Sequence, residues 1–92
     1  MITAIVLINA EVHRIPEAAQ AIVEIEGVSE VYSVTGGCDL IAVVKVARHE
    51  DFADVIADRI NKTSGVLSTD THIAFKTYST EDLDAAFAIG LD

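Results

Sequence analysis

Aromatic side chains are scarce in this sequence, and tryptophan is absent. Only two Tyr and three Phe occur among 92 residues, although 51% of the chain is hydrophobic. The core must therefore be built from Ile, Val, Leu and Ala. A chain of this length has room for one domain with one core, which excludes a second folded module.

Basic residues, cysteines and long apolar runs are also few. Six Lys and Arg against 15 Asp and Glu give a formal charge of −9, which disfavours direct binding to a nucleic-acid backbone. The lone Cys38 cannot form an intrachain disulfide. The apolar run at residues 1–8 has no basic flank and is too short for a signal peptide or a membrane span, so we expect a cytoplasmic protein.

An internal repeat is the most informative feature that is present. The apolar runs at residues 4–8 and 42–46 match at an offset of 38 residues, as do Ile22 with Ile60 and the Gly-Val pairs at 27–28 and 65–66. Each half reads as an apolar strand, an amphipathic helix that ends at glycine, and a second strand. This order predicts two βαβ units.

The helices and strands can be placed on this repeat. Pro16 suits a helix start and Gly27 suits the left-handed residue after a helix end. In the second half, apolar residues recur at steps of three and four, which predicts a second amphipathic helix. Its expected core residues are Phe52, Val55, Ile56 and Ile60. We predict strands at 2–10, 28–35, 40–47 and 68–77, and a third helix at 81–89 that Ser79 or Thr80 would cap.

Two right-handed βαβ units in one small domain interleave as a ferredoxin-like βαββαβ fold of the α+β class. We predict an antiparallel sheet with strand order 4-1-3-2, two helices on one face and a short C-terminal helix. The domain is expected to span residues 1–78, with residues 79–92 as a helical tail. Strands one and three are apolar on both faces, as the two central strands should be.

The second face of this sheet needs a cover. Two helices shield only one face, and each Ile, Val or Leu left in water on the other costs roughly 1.5–3 kcal/mol. Apolar faces of this kind mark interaction sites, and pairing with a second copy gives a two-fold dimer. The alternative is that the third helix covers the face of its own chain.

A set of short motifs brings a family resemblance. The segment at residues 34–40 reads V-T-G-G-C-D-L; the Gly-Val pairs lie on either side of it, and Thr69 and Thr71 form a T-x-T strand. This pattern over residues 1–77 resembles the ligand-binding domain of the leucine-responsive/asparagine regulator (Lrp/AsnC) family. Full-length members carry a helix-turn-helix before this domain, whereas strand one begins here at Met1. We therefore expect a stand-alone member.

The resemblance implies a dimer formed through the sheets, assembly into octamers or similar rings, and amino-acid binding where dimers meet. An effector-sensing module of this kind could also tune full-length regulators by mixed assembly. The expected ligand-binding residues match the family's loop and strand; they are Thr35, Gly36, Gly37, Asp39, Thr69 and Thr71.

The residue types fit a zwitterionic ligand. Two glycines let backbone N–H groups turn toward a carboxylate, Asp39 can accept from an ammonium, and the two threonines on one strand face can form hydrogen bonds. A plain reading stands beside this one, because Gly-Gly-Asp is also an ordinary turn between strands and Thr is a common strand residue.

No catalytic, metal or cofactor site is predicted. His13, His49 and His72 lie in separate segments without metal-ligand spacing, and no histidine adjoins Cys38 to activate its thiol. Two alternatives to an effector-sensing module stay open. One is a small dimeric enzyme of the monooxygenase type, which shares this fold class, and the other is a ligand-free assembly scaffold.

Overall fold

The computed structural model describes residues 1–80, and four strands in them form one antiparallel sheet. The strands are β1 (Ile2–Ala10), β2 (Val28–Ser33), β3 (Leu40–Val46) and β4 (Val66–Ile73), in the order β2-β3-β1-β4. This is the predicted order viewed from the other edge, with β1 and β3 in the centre. The ferredoxin-like prediction is confirmed. The third helix expected at 81–89 lies outside the described residues.

Two helices link the strands. A short 3-10 turn (Val12–Arg14) leads into α1 (Ile15–Val23), and Pro16 lies in its first turn as predicted. The second helix, α2 (Ala53–Ile60), is wound more widely than an α-helix, and after it the N–H of Asn61 donates to the carbonyl of Ile56, five residues back. The four core residues predicted for this helix are nevertheless buried.

The sequence repeat has a structural counterpart at the two glycines. Gly27 and Gly65 have φ angles of 101° and 94°, a left-handed conformation that glycine adopts at low cost. A Cβ at Gly27 would lie 3.0 Å from Val55 of α2, and one at Gly65 would lie 3.0 Å from the Cβ of Arg14. Each glycine therefore lets one βαβ half approach the helical region of the other.

The core lies between the helices and one face of the sheet. Its side chains are almost all aliphatic, and no polar side chain of residues 1–80 is buried in it. The central strands contribute Ala4, Val6, Ile8, Leu40, Ala42, Val44 and Val46, and the helices contribute Ala18, Ile22, Val55, Ile56 and Ile60. This composition agrees with the scarcity of aromatic residues in the sequence.

The opposite face of the sheet, called the outer face below, carries a small aliphatic block. Ile5 pairs with Val43 and Leu7 with Ile41 across β1 and β3, and all four are half-buried. A polar rim surrounds the block, formed by Thr3, Asn9, Glu30, Tyr32, Lys45, Ser68, Asp70 and His72. Neither α1 nor α2 covers this face. Within residues 1–80, no helix has the length and apolar character needed to cross a membrane.

Candidate functional site

Asp39 fixes the loop at residues 34–39 to the end of β1. Its backbone N–H donates to the carbonyl of Ile8 at 2.9 Å, and its carbonyl accepts from the N–H of Val34 at 3.0 Å. Its Oδ2 also accepts from the N–H of Ala10 at 2.9 Å. Ala10 lies beyond the last β1–β3 pair, Ile8 with Leu40, so the carboxylate replaces the missing strand partner. One carboxylate oxygen of Asp39 is thus structural.

Gly36 and Gly37 form the open tip of this loop. No heavy atom lies within 4 Å of the place where a Cβ would stand at either glycine, and Gly36 has φ +119°. The N–H groups of Gly36, Gly37 and Cys38 make no hydrogen bond to another part of residues 1–80. Free N–H groups are hydrogen-bond donors, and an anion can accept from them. The tip therefore offers donors that residues 1–80 leave unused.

Thr69 and Thr71 share one face of β4, as the alternation predicted. They pair with Ile8 and Val6, whose side chains are buried, so the two threonines face the helix side of the sheet. The Thr69 hydroxyl donates to Oδ1 of Asn61 at 2.6 Å. Because its proton is engaged, the Thr69 hydroxyl can take part in a further hydrogen bond only as an acceptor.

Asn61 is a residue of this region that the sequence analysis missed. It follows α2 directly and positions the Thr69 side chain from the helix layer. The only available signal was its place between the last apolar residue of the helix pattern and Gly65. Asn is common in such positions for reasons of local backbone structure, so that signal does not single it out.

The predicted loop residues and Thr69 lie at one end of the sheet, whereas Thr71 pairs with Val6 in the middle of β1. Asp39 and Thr69 both adjoin Ile8, on opposite sides of β1, so their backbones lie two strand spacings apart, about 10 Å. A cleft of about 420 Å³ lies at the other end of the sheet, and its lining includes Lys45, Val55 and Arg59 but none of the six predicted residues. This cleft is thus separate from the predicted site.

A β-bulge shapes the same end of the sheet. Ala10 pairs with Val66 and Asn9 with Ser68, so Leu67 is an extra residue on β4 and stands 66% exposed. Asn9 Nδ2 donates to the Ser68 hydroxyl at 3.2 Å beside it. The bulge allows β4 to begin two residues earlier than predicted.

The potential metal-ligating side chains of residues 1–80 do not cluster. No group of three or more His, Cys, Asp or Glu side chains is close enough together to hold an ion there. Cys38 is a half-buried free thiol in the loop. His72 lies on the rim of the outer face, with its Nε2 3.3 Å from Oδ2 of Asp70.

Tyr32 carries the clearest electrostatic perturbation in the described residues. Its hydroxyl donates to Oε2 of Glu30 at 2.6 Å, on the β2 side of the outer face. This hydrogen bond to the carboxylate is the main cause of the raised pKa of Tyr32, above the ordinary 10.0; loss of hydration and the charge of Glu30 act in the same direction. The rim thus holds a neutral phenol tied to an anion.

These features define a ferredoxin-like domain with an anchored, open glycine loop at one end of its sheet. Residues 3–83 match the family model described as Lrp/AsnC ligand binding domain, and the chain belongs to this family. The predicted family resemblance is therefore confirmed.

Individual relatives agree with the family match. A Thermus thermophilus protein of known crystal structure is 43% identical in sequence to this chain, and the two structures superpose with a TM-score of 0.82. The match covers 86% of this chain and 99% of that protein. An uncharacterized HTH-type transcriptional regulator of Pyrococcus furiosus is 32% identical over 65 residues, which are 71% of this chain and 43% of the regulator. This chain thus matches less than half of that regulator's length.

A third relative was crystallised with an amino acid. This is a feast or famine regulatory protein from M. tuberculosis complexed with L-methionine, 29% identical to this chain, with a TM-score of 0.71. The match covers 87% of this chain and 54% of that protein.

Proposed function

We propose that the protein is a non-catalytic, cytoplasmic effector-sensing and oligomerisation module of the Lrp/AsnC type. It binds an amino acid where its dimers meet and modulates full-length regulators by mixed assembly. The observation that carries this proposal is the open Gly36-Gly37 tip, with its free N–H groups, held in place by Asp39.

The groups at this end of the sheet complement a zwitterion. The N–H groups of the tip suit the carboxylate of the ligand, since they are donors with no partner within residues 1–80. Oδ2 of Asp39 is bonded to Ala10, which leaves Oδ1 for the ammonium. Thr35 and Thr71 complete the predicted set, and Thr69 acts as an acceptor. The L-methionine complex of the mycobacterial relative supports an amino acid as the ligand.

The outer face supports a dimer. Its four half-buried aliphatic side chains with a polar rim have the anatomy of an interface between subunits, and a second copy presents the same surface. Pairing of two outer faces leaves the glycine loops at the ends of the sheets. Each loop can then meet another dimer, which completes a site that one protomer leaves open and allows growth into a ring such as an octamer.

The open geometry also fits the ligand-free scaffold, because the cleft lined by Lys45, Val55 and Arg59 lies away from the predicted site residues. The two functions differ in one result. A scaffold assembles in the same way with or without amino acids, whereas a sensor binds them and changes its assembly.

Calorimetry with each proteinogenic amino acid, starting with L-methionine, tests the proposal, together with size-exclusion chromatography with and without the ligand. We expect saturable binding that Gly37→Val abolishes, since a side chain there fills the open tip without a left-handed φ to strain it. Ala57→Val on the exposed surface of α2 is the control and should bind as the wild type does. If no amino acid gives a heat of binding, the sensor is excluded and the ligand-free scaffold is the function that fits.

A further inference from the structure

The segment that follows β4 carries the most exposed large apolar side chain of residues 1–80. Phe75 is 104% exposed and Tyr78 is 77% exposed, whereas Phe52 is buried in the core. A chain with only five aromatic residues thus leaves two of them in water within four positions. Each buries about 150–250 Å² when it is covered. These two rings need a partner surface.

The position of the segment relates it to the outer face. The N–H of Ala74 donates to the carbonyl of Thr3 at 2.8 Å, so the backbone stays attached to β1 up to that point. Thr3 and its partner Lys45 stand on the rim of the outer face. The six residues 75–80 can span about 20 Å when extended, roughly the length of that face. The rings therefore begin at the edge of the proposed dimer surface.

The outer face by itself is smaller than a typical stable dimer interface, so further surface has to contribute to the contact. The four strands have 6 to 9 residues each, which is about 25 Å on average, and at about 4.8 Å spacing they give a footprint near 480 Å². With half as much again for the relief of the side chains, about 700 Å² is still below the roughly 800 Å² per partner of a typical stable interface. Two aromatic side chains from each copy supply the missing area.

Charge favours the same arrangement. Each copy has a formal charge of −9, so two copies repel one another. The segment 74–80 contains one charged residue, Lys76, whose Nζ lies 5.2 Å from the centroid of the Tyr78 ring. The rim of the outer face contains the carboxylates of Glu30 and Asp70 besides the ammonium of Lys45. A lysine that reaches either carboxylate offsets part of the repulsion.

We propose that residues 74–80 form an arm that packs on a second copy of this chain, with Phe75 and Tyr78 as its anchors beside the partner's outer face. The arm rests on the sheet-to-sheet dimer proposed above and names the residues that stabilise it. In the isolated protomer the rings are exposed, and in the dimer each pair of rings is covered.

Sedimentation of the full chain over a dilution series is the first test. Phe75→Ala combined with Tyr78→Ala should raise the dimer dissociation constant by about 100-fold, since aromatic anchors dominate interfaces. The control is Val12→Ala combined with Leu67→Ala, two exposed apolar residues at the other end of the sheet, which should leave the dimer constant unchanged. An unchanged constant in the aromatic double variant would overturn the arm.

A fluorescence probe separates the arm from a loss of folding. The chain has no tryptophan, so Phe75→Trp introduces a single reporter. We expect its emission to be blue-shifted in the dimer and to move to longer wavelength on dilution. Val23→Trp, on the exposed surface of α1, should stay at long wavelength throughout. Solvent-exposed emission from residue 75 in a proven dimer contradicts the arm, and a wild type that stays monomeric contradicts the sheet-to-sheet dimer itself.

Discussion

The two faces of the sheet use the same strands and almost the same side chains, yet within residues 1–80 helices cover only one of them. On the helix face, Val6, Ile8 and Val44 are 0% exposed under α1 and α2. On the outer face, the neighbouring Ile5, Leu7 and Val43 are only half-buried, and polar residues surround them. We propose from this difference that the central strands carry one apolar face for folding and one for assembly.

A core truncation should have the largest effect. Ile22→Ala removes a fully buried side chain of α1, and we expect a loss of about 2–5 kcal/mol in the free energy of unfolding. Urea denaturation measures this loss. The adjacent Val23→Ala, on the exposed side of the same helix, should change the stability by less than about 0.5 kcal/mol. Equal losses in both variants would break the distinction between covered and open surfaces.

A charge in the aliphatic block should act on assembly instead. Leu7→Asp places a carboxylate in the centre of the outer face, where an interface would have to desolvate it. We expect the dimer dissociation constant to rise by about 100-fold, equivalent to roughly 3 kcal/mol, with the circular dichroism of the protomer retained. Asn9→Asp, on the rim of the same strand face, is the control. A dimer that tolerates Leu7→Asp does not use this face.

Asp39 lies where the strands end and has two separable tasks. Asp39→Ala removes the acceptor for the Ala10 N–H and should cost about 1–2 kcal/mol of unfolding free energy. Asp39→Asn keeps an acceptor and should cost less than that, but it removes the charge that an ammonium needs. Denaturation and calorimetry on both variants separate the tasks. Full amino-acid binding by Asp39→Asn would show that the carboxylate has only the structural one.

The smallest effect concerns the rim. The hydrogen bond from Tyr32 to Glu30 raises the pKa of Tyr32 in the folded protein above 10.0. The bond therefore stabilises the folded state below the pKa of an unfolded tyrosine, and this stabilisation is lost as the pH rises through the pKa of Tyr32 in the folded protein. Removal of the carboxylate by Glu30→Gln should lower the pKa of Tyr32 toward 10.0. Alkaline titration of tyrosinate absorbance in a Tyr78→Phe background, where Tyr32 is the remaining tyrosine, measures it. No change would exclude this pair as the cause.

The sequence was sufficient for the architecture because burial leaves a periodic signal. The boundaries of β1 match the prediction, and those of β3 differ by one residue at the end. For β4, the prediction began at residue 68 and the strand begins at Val66, because the bulge at Leu67 adds a residue that no alternation pattern reveals. The wide winding of α2 was also hidden, since its apolar residues satisfy the spacing of an ordinary helix.

The site was less predictable for a different reason. The family resemblance and the residue types suggested Asp39 and Thr69 as ligand contacts. Their own hydrogen-bond partners, however, lie 29 and 8 positions away in the sequence, at Ala10 and Asn61. Ala10 and Asn61 have no chemical signal in the sequence that would pair them with these side chains. The membership of the site thus remains a prediction, while the structure shows which atoms are already engaged.

The proposed amino-acid site is best tested by a crystal structure of the protein grown with a mixture of amino acids. We expect an amino acid between copies, with its carboxylate on the N–H groups of Gly36 and Gly37 and its ammonium at Oδ1 of Asp39. Two outer faces should be paired in the same crystal. An amino acid bound elsewhere, or glycine loops that meet no other copy and hold no ligand, would refute the proposed site.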